Sequence, residues 1–524
     1  MEYDRRENDM THSRNVRKTH WAAAALSGLC LSAFGGFAPV NPARDWKVVY
    51  GSNQGPEGRA LQILSEAAAP IMRDHGTTTS YVLAMEKAGG ARVDKKHLIL
   101  VGRPGDNPAL AAELGDTVVP KGGYVVKTRT VGGTNVVAIA GDTPRAVLWG
   151  AFEFADIVKP DLTDASVQWR NMAYEDVFFK LEKLPDYVYA TAPETPVRSL
   201  FTWGHVIDDY RLSFREFARS RLNRVILWNE FPPVNAADVV REAHDWGLDV
   251  FWGFAWGWST DCRDADLSKI AEIGAAIVYE WDTVWGRLPG DGIYFQSFTE
   301  LSSETIGGRL VAECVVDLVN DTARRIRAKR PGLPIVFGLH ADSVKRRIET
   351  IEKTDKDIDI LWENWGCFPV DKLIPGVIGA TPDVMSPDAV PMARKILASD
   401  RRAGLVWKAL LQDWTCWAHQ PGPYMLGCAG ARLLDRDRKI VDGYKDVFDD
   451  KWMRMGPQVV EFFRMTRAEK NPPYEYNTVA EYNPPLAFAT LAQAELFWSS
   501  KDEWKESARR IRRRMHAANV SCGR

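Results

Sequence analysis

From about residue 197 to residue 410 the chain repeats one hydrophobic pattern: a short apolar run rich in β-branched and aromatic residues, a polar loop, then a longer segment of helical period. The runs are Ser199–Trp203, Arg224–Trp228, Asp249–Trp256, Gly292–Phe298, Ile335–Leu339, Asp359–Trp362 and Leu405–Leu410. Between them, Leu212–Arg221, Ala236–Trp246, Leu267–Tyr279, Ile306–Lys329, Ser343–Glu352 and Val390–Ser399 carry the helical period. Such alternation predicts an α/β fold, a (β/α)8 TIM barrel, with Tyr424–Gly427 as the weakest strand and the eighth. A doubly wound sheet would place a glycine-rich phosphate loop after its first strand, and none is present.

Ahead of this pattern lies a smaller α+β region. Trp46–Tyr50, Leu98–Val101, Gly123–Thr128 and Asn135–Ala140 read as strands, with helices at Gly55–His75 and Thr143–Ile157 and a linker over Lys159–Pro196. The loop Gly102–Asn107 (GRPGDN) has neither phosphate-loop spacing and is read as a turn. Beyond Leu434 the strand signal stops, and Lys439–Phe448, Gln458–Arg467, Pro485–Ser499 and Asp502–His516 read as helices. The expected division is therefore a leader over 1–43, a small α+β domain over 44–170, a barrel over 171–434 and a helical region over 435–524. The leader reads as an export signal, because Arg14, Arg17 and Lys18 precede an apolar stretch, Trp21–Ala38, that is too rich in small residues for a membrane span. A periplasmic or secreted mature chain without a stable membrane span is expected.

Charge changes this picture little. Lys and Arg number 67 against 69 Asp and Glu, a net of −2, so no nucleic-acid partner is expected, and the basic run Arg509–Arg514 reads as a solvated helix face. Tryptophan changes it more, since 20 are present and many fall near strand ends. Indole faces there suit the apolar C–H face of a pyranose, which makes a carbohydrate the expected partner. Of the 7 cysteines, all but Cys30 follow the leader, and no CxxC or HExxH spacing occurs, so no structural zinc and no cofactor are expected.

If the barrel forms, polar residues at its strand ends converge. The candidate catalytic carboxylates are Glu300, Glu363 and Asp413; the candidate substrate-binding residues are Trp203, Asp208, Asp209, Arg211, Asn229, Trp256, Trp258, His340, Trp365, Lys408 and Trp414. Carboxylates after several strands with tryptophans beside them are the ingredients of glycoside hydrolysis, which needs one protonated carboxyl for the leaving oxygen and one ionised carboxylate for water or the anomeric carbon. Plainer roles exist for single members: Asp208 as a helix cap, His340 as a core histidine, Glu300 as a first-turn carboxylate, and His340, Asp342 and Glu363 as a metal set.

The text of the first two domains resembles the glycoside hydrolase superfamily that unites family 67 α-glucuronidases with family 20 and family 84 hexosaminidases. The resemblance rests on VVYGSN (48–53), HLILVGRPGDNP (97–108) and VVAIAGDTPRAVLWGAFEFAD (136–156) in the small domain. In the barrel it rests on FREFARSRLNRVILWNE (214–230) and AHDWGLDVFWGFAWGWS (243–259). It implies a small α/β domain before a catalytic barrel. Where family 20 carries Asp-Glu and family 84 Asp-Asp after strand 4, this chain has Thr299-Glu300, which argues against substrate-assisted cleavage of N-acetyl sugars. The α-glucuronidase arrangement instead implies Glu300 as general acid, Glu363 or Asp413 as base, and inversion. A hexosaminidase-like activity and a glycan-binding barrel without catalysis are the alternatives.

Overall fold

The computed structural model describes residues 45–67, 83–90, 95–158, 183–184, 186–202, 207, 209–229, 231–257, 266–298, 304–339, 347–364, 389–407, 456–479 and 488–521. All lie in one compact unit, Ala43–Arg524. Strands β1 (Trp46–Tyr50), β2 (Ala84–Lys87), β3 (His97–Gly102), β4 (Tyr124–Val131), β5 (Thr134–Gly141) and β6 (Tyr187–Thr191) form a sheet in the order 2-1-3-5-4-6. Only β4 runs against its neighbours. Alternation explains its two buried faces. Val48, Ile99, Val137 and Ile139 pack with the helices Gly55–Ala67 and Pro144–Val158, while Val49, Leu100, Val136 and Ala138 pack with Leu110 and Leu114 of the helix Pro108–Leu114.

The strands absent from the sequence reading, β2 and β6, are the two edges of this sheet, and β6 lies in the stretch read as a linker. Edge strands are short and one-sided, so AMEK and YVYAT carry too little pattern to register. The GRPGDN loop ends on Asn107, whose side chain donates to Val49 O (3.0 Å) and Val101 O (3.2 Å) and accepts from Leu110 N (3.2 Å). That amide fills the cleft between the ends of β1 and β3, where an open α/β sheet otherwise receives a ligand.

The second sheet closes on itself. Strands β7 (Val197–Phe201), β8 (Arg224–Trp228), β9 (Asp249–Gly253), β10 (Gly292–Phe295), β13 (Ile335–Leu339), β14 (Ile358–Asn364), β15 (Ala403–Trp407) and β16 (Glu475–Val479) form a parallel barrel; the hairpin β11 (Thr305–Ile306) and β12 (Arg309–Leu310) intervenes after β10. The eighth strand is thus Glu475–Val479, which corrects Tyr424–Gly427, a segment outside the described residues. The barrel accordingly reaches past 434 into the region read as wholly helical. Its sequence, EYNTV, hid it: the residues that point inward are Glu475 and Asn477, not aliphatic side chains. They complete a polar floor in which Arg224 Nη1 donates to Glu475 (2.6 Å), Ser199 Oγ donates to Glu475, and Asn477 Nδ2 donates to Ser199 Oγ (2.6 Å). Above the floor Phe201, Ile226, Phe251, Tyr294, Val336, Leu361 and Val406 fill the barrel.

Asp359 belongs to the same floor, and its carboxyl is raised from the ordinary 3.8 to about 6, first by burial, with the Glu475 charge adding and Arg402 and Arg224 opposing. Between those two pH values the folded chain holds a proton that the unfolded chain releases. Stability therefore falls as pH rises through that window, by about 3 kcal/mol in all. Asp359→Asn is expected to flatten this part of the profile, measured as the urea midpoint at pH 4.5 and pH 6.5 in both proteins. Equal pH slopes in variant and parent would overturn it.

The C-terminal helices lock the two domains together. Glu495, on the helix Phe488–Trp498, accepts from Arg221 of the barrel and from Arg510 (2.7 Å) and Arg514 of the helix Trp504–Ser521. Arg513 and Arg514 also reach Glu153 of the small domain, and Arg219 pairs with Asp156 (2.7 Å). The run 509–514 is a solvated face only at Arg509 and Arg512; its arginines at 510, 513 and 514 are joints. Arg198, fully buried, lies between Trp149 (5.0 Å) and Trp498 (5.1 Å) and donates to the carbonyls of Arg221, Thr195 and Pro196.

Candidate functional site at the C-terminal ends of the barrel strands

On β14 the inward positions recur every second residue, so Glu363 stands one layer above Leu361, at the end of the strand where barrel enzymes keep their chemistry. Its side chain is completely buried. Burying a carboxylate demands donors, and two are supplied by β10 and the residue that follows it. Tyr294 Oη donates to Glu363 Oε1 (2.7 Å), and Gln296 Nε2 donates to the same oxygen and to Tyr294 Oη (2.9 Å). Tyr294 and Gln296 are two residues apart and share the inward face, whereas Ile293 and Phe295 face the helices.

Room for the tyrosine comes from the neighbouring strand. A Cβ on Gly338 of β13 would lie 2.0 Å from Tyr294 Oη, so a side chain there would evict the phenol from its bond to Glu363. Burial first, and then the Glu363 charge, push the Tyr294 phenol well above its usual range, which keeps it a donor. The group is thus an acceptor-only carboxylate oxygen held by one hydroxyl and one amide.

Two of the other described candidates do structural work. Trp256 is fully buried and stacks on Phe295 (3.7 Å, 9°), which stacks on Phe337 (4.9 Å, 9°), so it is a core side chain and not part of a sugar subsite. Its backbone N–H still follows the strand, donating to Gln296 O (3.0 Å). Asp209 caps the helix Tyr210–Arg219 by accepting from Leu212 N (3.0 Å), the role the sequence reading offered to Asp208. Arg211 is exposed on that helix's first turn. Asn229 ends β8 beside Tyr210, whose phenol burial raises and a hydrogen bond from Asn229 holds back; among the described residues Asn229 Oδ1 has no hydrogen-bond partner. Glu300, Asp413, Trp203, Asp208, Trp258, His340, Trp365, Lys408 and Trp414 lie outside the described residues.

The backbone that leads to Glu300 is unusual. Phe298 is buried yet has φ of +48°, a left-handed conformation that a bulky residue adopts only when its surroundings compel it. Its ring fills the space where a Cβ on Gly257 would sit, 2.8 Å away. Of the aromatics that precede Phe298, Tyr294 serves Glu363 and Phe295 faces away from the barrel axis. Tyr294, Gln296 and Gly338 were missed as site residues. The available signal was the period of two that starts on β10, with a glutamine just past an apolar strand.

No protein-family model matches the chain, and no curated protein matches it. Similar solved structures include CpGH84D, 12% identical with a TM-score of 0.47, covering 89% of this chain and 68% of its own. Another is a GH138 enzyme targeting pectin rhamnogalacturonan II, 10% identical with a TM-score of 0.45, covering 88% and 64%. A third is BtGH115A, a family GH115 4-O-methyl-α-glucuronidase with specificity for decorated arabinogalactans, 12% identical with a TM-score of 0.45, covering 87% and 56%. These neighbours are glycoside hydrolases.

Proposed function

We propose that this chain is an exported glycoside hydrolase that cleaves a glycosidic bond of an oligosaccharide or a polysaccharide side chain by carboxylate acid–base chemistry. The observation that carries the reading is Glu363: a buried carboxylate at the C-terminal end of a barrel strand, fixed by Tyr294 and Gln296. Two donors on Oε1 fix the orientation of the carboxyl group, which a base positioned over a substrate needs. In this scheme Glu300 protonates the leaving oxygen and Glu363, or in its stead Asp413, takes the proton of the attacking water, with inversion. An α-glucuronidase-like substrate is the favoured class, since Thr299 leaves no second carboxylate beside Glu300 to steer an acetamido group. Export rests on the basic start and the apolar stretch Trp21–Ala38.

The complete burial of Glu363 supports a second reading, a glycan-binding barrel in which this carboxylate only ties strands together. A panel of aryl α- and β-glycosides, uronides and N-acetyl sugars included, separates the two. The hydrolase releases the aryl group from at least one substrate, and Glu300→Gln lowers that turnover about 10²–10⁴-fold where the leaving group is poor and much less where it is good. Silence across the panel, or a Glu300→Gln variant that turns over a poor leaving group normally, would defeat the reading. Export is checked by intact mass after expression in an exporting host, where loss of the residues before about Arg44 is expected.

A further inference from the structure

Phe231 and Val234 lie on the loop that joins β8 to the helix Ala236–Asp245, and both side chains stand in water, Phe231 at 73% exposure. Among the described residues they are the large apolar side chains left exposed on a loop that leaves a barrel strand at its C-terminal end, the end that carries Glu363. Among the described aromatic side chains Phe231 and Tyr279 are the exposed ones, and Tyr279 lies on the helix Ile270–Thr283, so Phe231 is the exposed ring at this end of the barrel and adds nothing to the core.

The loop is built to hold the ring still. Its root is pinned where Thr202 Oγ1 accepts from Trp228 N (2.9 Å) and donates to Trp228 O (3.3 Å). Pro232 and Pro233 fix their own φ angles, and Pro233 O accepts from Ala236 N (3.0 Å) as the next helix begins. A ring on a stiff loop loses little freedom when something settles on it. Asn229, whose Oδ1 has no hydrogen-bond partner among the described residues, sits two residues before the ring. An apolar face close to a hydrogen-bonding amide matches a pyranose, which offers one C–H face and a rim of hydroxyls.

We propose that Phe231 is the stacking platform of a sugar subsite at the rim of the barrel, outside the position of the reacting sugar; this rests on the hydrolase reading of the same barrel face. Phe231 stands in water on the loop after β8, whereas Glu363 is buried at the end of β14.

The test uses native affinity electrophoresis of the full chain, of Phe231→Ala and of Phe231→Trp through gels holding glucuronoxylan, pectin or glycol chitin. The parent is expected to be retarded by at least one polysaccharide, Phe231→Ala to bind it about tenfold more weakly, and Phe231→Trp to restore the retardation. An exposed position leaves folding unaffected, which circular dichroism of the variants verifies. If the alanine variant migrates like the parent in every gel that retards the parent, or if no gel retards the parent, the platform is refuted. A parent retarded through Phe231 that cleaves no glycoside of the panel would keep the platform as a glycan site and dismiss only the hydrolase reading.

Discussion

Glu363→Gln is expected to lower kcat by about 10²–10⁴-fold on aryl glycosides with good and poor leaving groups alike. The substitution preserves shape, and the amide oxygen of the variant can keep accepting from Tyr294 and Gln296. Its other terminal atom becomes an N–H donor that cannot take a proton from water. Because the hydrogen-bonded oxygen survives, the thermal midpoint should move by only a few degrees, and activity and stability come apart. Stopped assays on two substrates of different leaving-group pKa, with thermal melts beside them, read both quantities. A variant that stays active but melts far lower would make Glu363 a structural carboxylate and return the chain to the glycan-binding reading. Glu300→Gln differs in kind, since a lost acid matters least where the leaving group needs no proton.

Glu495→Ala is expected to destabilise the folded chain by about 3–5 kcal/mol, the range for stranding buried charges by removing their partner. Burial on its own raises the Glu495 carboxyl, but Arg221, Arg514 and Arg510 together hold it well below the ordinary range. The group's contribution is therefore complete above the ordinary carboxylate range and is lost as pH falls toward its depressed folded value. Removal leaves Arg221 and Arg514 buried without that carboxylate, at the seam between the barrel and the last two helices. Urea unfolding at pH 7 measures the loss, and Glu495→Gln should lie between parent and alanine variant because it keeps an acceptor. A loss under about 1 kcal/mol for Glu495→Ala would mean that the cluster is relieved by water and does not clamp the domains.

Seven of the barrel strands were legible because each is a run of residues that a pleated, doubly buried strand prefers, such as Arg224–Trp228 or Ile335–Leu339. Periodicity also revealed the amphipathic helices, and the strand ends drew attention to Glu363. Closure was not legible. EYNTV is polar because its neighbours across the barrel, Arg224 and Ser199, need an acceptor, and those neighbours are more than two hundred residues away in the chain. The same holds for the arginines at 510, 513 and 514, whose charge predicts water until Glu153 and Glu495 are brought beside them. Trp256 shows the converse: its place at a strand end suggested a sugar contact, and only the stack on Phe295 and Phe337 decided that the ring belongs to the core. Local pattern determines which segments become strands and helices, since propensity and period act over a few residues. Which polar group meets which is set by closure of the barrel, where a charge is tolerated only once a partner from a remote strand has arrived to replace water.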